Sequence, residues 1–252
     1  MGIKVKSGYG YREVSLGDVL FLDVETVPLY PDFESLPEHF QELWKDKSRK
    51  YSYETRTPEE LYFDKAGIHA EFGKIVCISV GNCRTDKETG KTNLRIKSFY
   101  GDNEKQILSD FRELLQKSYH DSGRHFLCAH NGIEFDFPYI ARRMLINEVP
   151  LPALLDVSGS KSWDNRWLID TMELWKFGDM KEKTSLNLLA AVFGIPSPKD
   201  DISGKDVARV YHHEKDLERI MVYCQKDIVT LFRLFQRFSS LPMIRDGDIV
   251  YT

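Results

Sequence analysis

Apolar and polar positions along the chain follow two periods. Short runs rich in branched and aromatic residues, bounded by turn formers, predict strands over residues 18–25, 74–83, 94–100, 126–131 and 167–170. Between the third and fourth of these, Ile107, Leu108, Phe111, Leu114 and Leu115 recur at helical spacing after an acidic start, which predicts an amphipathic helix over 102–117. Further helices are expected over 134–147, 185–193 and from 214 to about 238. The last of them gathers Leu217, Ile220, Met221, Cys224, Ile228, Leu231 and Leu234 on one side. Three strands, then alternating helix and strand, then helices, is the order of an α/β fold with a mixed central sheet flanked by helices.

One domain over 1–252 is expected, with an insertion at about 27–72 that separates the first two strands. That insertion is dense in aromatic and charged residues, with helix-like pieces at 38–47 and 58–65. A second irregular stretch, 157–166, reads VSGSKSWDNR and is expected to form a surface loop carrying Lys161 and Arg166, which could touch substrate. Composition then narrows the function. Apolar residues make up 42% of the 252, enough for a sizeable core, while Lys and Arg number 35 against 39 Asp and Glu, a net charge of -4. With no basic excess, a phosphate-rich partner has to be held locally or through metal ions. No apolar run approaches the roughly 20 residues of a membrane-spanning helix. The start, MGIKVKSGYG, has no secretory pattern, and cysteines 77, 83, 128 and 224 form no C-x-x-C pair. Reduced, buried thiols and a cytoplasmic location are the expectation.

Candidate chemistry lies in three places. In VLFLDVET, Asp23 and Glu25 are two apart on a strand, so both carboxylates project from one face while Val24 turns the other way. Alone the pair says little, since about six such pairs arise by chance in a chain of this composition. Asp136 follows in AHNGIEFDFPYIARRM, where a strand gives way to a helix, with Asn131 and Phe135 just before it. Tyr223 and Asp227 in MVYCQKDIV sit one turn apart on the last helix, beside the apolar Cys224 and Ile228. An acid at the margin of a buried face needs a partner.

The ordered set, Asp-x-Glu, then Asn-x-x-x-Phe-Asp about 110 residues later, then Tyr-x-x-x-Asp, resembles the three motifs of DEDDy exonucleases. More narrowly, the chain resembles the stand-alone predicted 3'-5' exonucleases related to the proofreading domain of family-B DNA polymerases, whose second strand EFGKIVCISVG resembles. The resemblance covers roughly residues 18–238 and implies a ribonuclease H-like fold. It also implies hydrolysis of single-stranded 3' ends, DNA ahead of RNA, with release of nucleoside 5'-monophosphates. Asp23, Glu25, Asp136 and Asp227 then become metal ligands, with Asp23 shared by both ions, and Tyr223 orients the attacking water. Thr26, Asn131 and Phe135 become contacts to the terminal nucleotide.

Charge chemistry agrees with a metal site. Four carboxylates converging on one place repel one another unless divalent cations neutralise them, and oxygen-only ligands suit two Mg2+ or Mn2+ ions. Tyr30, Trp44, Tyr62, Trp163 and Trp167 are available to stack on bases, and Arg142 and Arg143 to meet phosphate. His130 is expected to be structural, His212 and His213 exposed, and Asp170 a helix cap close to the metals. Two other functions use the same features: a catalytically idle nucleic-acid-binding adaptor, and a metal phosphoesterase for small nucleotides.

Overall fold

Alternating apolar side chains along Val19–Pro28 pack to either side of a sheet, and this strand organises the rest of the chain. A computed structural model describes residues 2–7, 10–51, 55–86, 88, 90–161, 164–179, 183–196 and 202–252. The strands are β1 (Gly2–Ser7), β2 (Gly10–Ser15), β3 (Val19–Pro28), β4 (Gly73–Thr85), β5 (Thr92–Tyr100), β6 (Phe126–Ala129), β7 (Leu168–Asp170) and β8 (Ile249–Tyr251). The helices are α1 (Glu38–Ser48), α2 (Pro58–Lys65), α3 (Glu104–Ser118), α4 (Asp136–Ile146), α5 (Thr171–Lys176), α6 (Leu186–Val192), the single turn α7 (Val207–Arg209) and α8 (Leu217–Phe238).

Strands β1 and β2 form an antiparallel hairpin, and the other six form a mixed sheet in the order β7-β6-β3-β4-β5-β8. The β3–β4 and β4–β5 pairs are antiparallel, whereas β3–β6, β6–β7 and β5–β8 are parallel. Leu20, Leu22, Ile78 and Val80 pack with Leu108 and Phe111 of α3 and Ile140 of α4 on one face. Val19, Phe21 and Ile96 pack with Ile228, Phe232 and Phe235 of α8 on the other. This is the expected α/β sheet flanked by helices.

Between β3 and β4, α1 and α2 enclose a small core of their own from Phe33, Leu36, Trp44, Leu61, Tyr62, Ala66 and Phe72. Helix α2 starts at a full capping box, Thr57 with Glu60, and has Pro58 in its first turn.

Several boundaries differ from the sequence reading for local reasons. The strand read as 126–131 stops at Ala129, because Asn131 takes a left-handed φ of 63°. The long helix begins at Leu217 instead of 214: a π-helical stretch Val210–Glu214 precedes it, Lys215 is left-handed, and Asp216 caps α8 by accepting from the Arg219 N–H. Strands β1, β2 and β8 lie outside the strands that the pattern predicts.

Candidate active site

On β3 the row of side chains facing α8 begins with Val19 and Phe21 and continues as Asp23 and Glu25, so an apolar row turns into carboxylates. A register shift in the β3–β4 pairing falls immediately after Glu25 and marks where the strand changes course. Helix α8 crosses this face. Phe232 and Phe235 meet Phe21 edge-on at ring separations of 5.1 and 5.2 Å, and two turns nearer the helix start Cys224 donates its thiol hydrogen to Asp23 Oδ2 at 3.3 Å. So close an approach needs Gly81 on β4, where a Cβ would stand 2.6 Å from Ile228 Cγ2, one residue past Asp227.

Asp136 comes from the opposite side. Strand β6 pairs with β3 only over Val19–Phe21. Farther along, the Val24 N–H donates to the Asp136 carboxylate, at the first position of α4. Asp170 fixes the loop before it: its carboxylate caps α5 by accepting from Met172 N–H at 2.8 Å, and also accepts from Asn131 N–H at 2.9 Å and Ile133 N–H at 3.0 Å. The cap was legible in LIDTMEL; the tie to the Asn131 loop, 39 residues away, was not.

The structure brings Asp23 and Glu25 into direct reach of each other, with Asp227 and Asp136 near enough for their charges to act on both. Ligand atoms of Asp23, Glu25 and Cys224 lie within 4.8 Å of one another. Tyr223 donates to Asp227 one turn along α8. Thr26 and Phe135 line a cavity of about 590 Å³ that has Glu25 in its wall; Asn131 is not among its lining residues.

Other sequence candidates fall elsewhere. Trp44 and Tyr62 are fully buried in the insertion's core, Trp44 donating its indole N–H to Pro58 O at 2.7 Å, so neither can stack on a base. Trp167 is half-buried and donates to Leu154 O, Tyr30 remains exposed, and Trp163 lies outside the described residues. Arg143 is buried against Glu104 and unavailable to phosphate, whereas Arg142 is exposed. His130 is held between Thr171 Oγ1 and Thr184 O at 2.9 and 2.8 Å, a structural role. His213 is exposed as expected, but His212 is buried and donates Nε2–H to Pro28 O at 2.9 Å, tying the π-helical stretch to the end of β3.

Residues 67–244 match a family model described as a predicted 3'-5' exonuclease related to the exonuclease domain of PolB. The chain belongs to this family. Among solved structures, the family B DNA polymerase from the hyperthermophilic archaeon Pyrobaculum calidifontis is similar over 92% of this chain, with a TM-score of 0.50 and 14% identity. At that identity the likeness is one of fold, and the chain spans 28% of the polymerase's length. No curated protein matches the sequence. The family match takes in Asp136, Tyr223 and Asp227 and begins after Asp23 and Glu25.

Burial and mutual repulsion act together on these acids. Burial, then Asp227 and Asp136, push Asp23 well above the carboxylate range, and burial, then Asp23 and Asp227, do the same to Glu25. Burial and the Asp170 charge raise Asp136 to about 8. Burial and the facing carboxylates push the Tyr223 phenol far up, so it stays a hydrogen-bond donor. Burial likewise keeps Cys224 a thiol, leaving oxygen as the ionised donor type. This donor set fits hard divalent cations: carboxylates that repel one another gain from positive charge among them, and no other cluster of three His, Cys, Asp or Glu side chains approaches this closely among the described residues.

A pH effect follows. A carboxyl raised when folded binds its proton more tightly there, so its stabilisation is complete below the unfolded value near 4 and is lost as pH rises through the folded value, about 8 for Asp136. His69, lowered to about 4 mainly by burial, works on the acid side of its ordinary 6.5 and drops out above pH 7. With EDTA present, the melting temperature is expected to fall between pH 7 and 9, and less steeply in Asp136→Asn. Equal slopes for the two proteins would refute the assignment.

Proposed function

We propose that the chain shortens single-stranded nucleic acid from the 3' end, DNA ahead of RNA, releasing nucleoside 5'-monophosphates with two Mg2+ or Mn2+ ions held by Asp23, Glu25, Asp136 and Asp227. The observation that supports it best is the meeting of these acids from β3, α4 and α8 beside a cavity sized for one small ligand. Bound there, the two cations would acidify water and offset charge on the leaving oxygen.

The chain's own groups do the rest. Asp23, shared in the resembling family by both ions, is oriented by the Cys224 thiol from behind. Tyr223 keeps its proton, which it donates to Asp227, and would orient the attacking water by hydrogen bonding at its phenol oxygen and not by proton removal. Thr26 and Phe135 bound the space for the terminal nucleotide, and Asp170 holds the Asn131 loop that carries Phe135 and Asp136 into place. The chain works as one domain in the cytoplasm, a setting consistent with four buried free cysteines; no described helix is long and apolar enough to cross a membrane.

The test is incubation with a 5'-labelled single strand and Mn2+. Stepwise shortening from the 3' end with release of 5'-mononucleotides is expected, DNA faster than RNA. Binding without shortening would replace this reading with the adaptor, and cleavage of dinucleotides alone would replace it with the small-nucleotide phosphoesterase.

A further inference from the structure

The cavity beside Glu25 has two walls. One consists of the expected site residues Glu25, Thr26 and Phe135 together with Val24; the other comes from the insertion, with Phe63, Asp64, Lys65 and Ile68, and from the turn before α7, with Lys205. Helix α2 explains why Phe63 is there. Leu61 and Tyr62 bury themselves in the insertion's own core. At 100° per residue, Phe63 stands on a different face, is only half-buried, and contributes nothing to that core. Its ring meets His213 at 5.2 Å and 33° between planes. Ile68, in the turn that follows, is 50% exposed although it is apolar and lines the same cavity. Lys205 is exposed there too, whereas the Arg56 guanidinium lies 2.7 Å from Asp64 and is already neutralised.

An apolar aromatic surface facing a carboxylate edge, with an ammonium at its border, is the chemistry of one unpaired nucleotide: a base on Phe63 and Ile68, a phosphate on Lys205. We infer that the insertion and the 203–208 turn form the outer wall of the substrate site, with Phe63 and Ile68 taking the unpaired terminal nucleoside and Lys205 a strand phosphate. This rests on the function proposed above. A volume of about 590 Å³ is that of a pocket for a single small ligand, so a terminal base reaches it after leaving its complement. The insertion therefore sets the requirement for a frayed end.

The inference is tested with Phe63→Ala, Ile68→Ser and Lys205→Ala on a single-stranded oligonucleotide and on a nitrophenyl ester of a nucleoside 5'-monophosphate, with circular dichroism melting as the control for folding. Phe63→Ala is expected to raise KM about tenfold on both substrates, with kcat reduced by less than threefold. Ile68→Ser, on an exposed position, is expected to move KM the same way and covers the case in which Phe63→Ala unfolds. Lys205→Ala is expected to reduce the salt dependence of KM for the strand by about 0.7 in log–log slope. Wild type that shortens strands while all three folded variants match it in KM would overturn the inference and leave the proposed function standing. Wild type that neither binds nor shortens single strands would overturn both.

Discussion

Asp23→Asn is expected to slow strand shortening by about 10³-fold or more and, in EDTA, to melt at a higher temperature than the wild type. The first effect follows from its place: Glu25 lies close to it and the charges of Asp227 and Asp136 act on it, so a neutral amide removes the anion that the proposed cations would share. A loss of about 4 kcal/mol of transition-state stabilisation is a factor of about 10³. The second effect has the opposite sign because burial and neighbouring charges make the Asp23 carboxylate unfavourable in the folded protein, a cost an amide does not carry. Each kcal/mol recovered raises the melting temperature by about 2–4 °C in a chain of this length. Adding Mn2+ should reverse the order. A ligand at 100 times its Kd stabilises by about 2.7 kcal/mol, and only the wild type keeps the full site. Melting curves with EDTA and with Mn2+ for both proteins check this without any activity assay. Equal Mn2+ shifts in the two would sink the assignment of Asp23 as a ligand.

The parts of this site that could be read in the sequence are those fixed by short-range periods. Asp23 and Glu25 share a face because strands repeat every two residues, and Tyr223 and Asp227 meet because helices bring back a face every four. The central strands and the amphipathic α3 are legible for the same reason. What escaped is set by distant contacts. Cys224 reads as one more apolar position on α8, yet its thiol reaches an atom on residue 23. In sequence Trp44 and Tyr62 are as available to stack as any aromatic of the insertion, and only its folded core shows that they are its centre while Phe63 is left facing the cavity. His212 is drawn in by the carbonyl of Pro28, 184 residues away, a partner that no local pattern announces.

The same reasoning gives the largest expected loss of stability, at Arg143. In ARRM it looks like half of a surface pair, but its Nε lies 2.8 Å from Glu104 Oε1 and its Nη1 donates to Ala70 O at 2.7 Å, with both side chains buried. Glu104 also accepts from Ile75 N–H at 2.7 Å and Asn147 Nδ2 at 2.9 Å. One ion pair thus joins the starts of α3 and β4, the end of the insertion and α4. Arg143→Met leaves a buried carboxylate with only neutral donors, which costs about 3–5 kcal/mol. The double variant Glu104→Leu with Arg143→Met removes the stranded charge as well and should regain much of that loss, because well-packed apolar residues often replace a buried pair at little cost. Urea unfolding of the wild type, both single variants and the double variant measures the coupling, with an unchanged m-value expected throughout. The effect should reach the site. Arg143 stands about two turns from Asp136 on α4, and Tyr139 between them donates to Gly67 O at 2.7 Å, so the arginine anchors the far end of the helix whose first residue is one of the four acids. Arg143→Met is therefore expected to weaken Mn2+ stabilisation in a protein that still folds. A stability change below 1 kcal/mol would show that α4 is held by its apolar face alone.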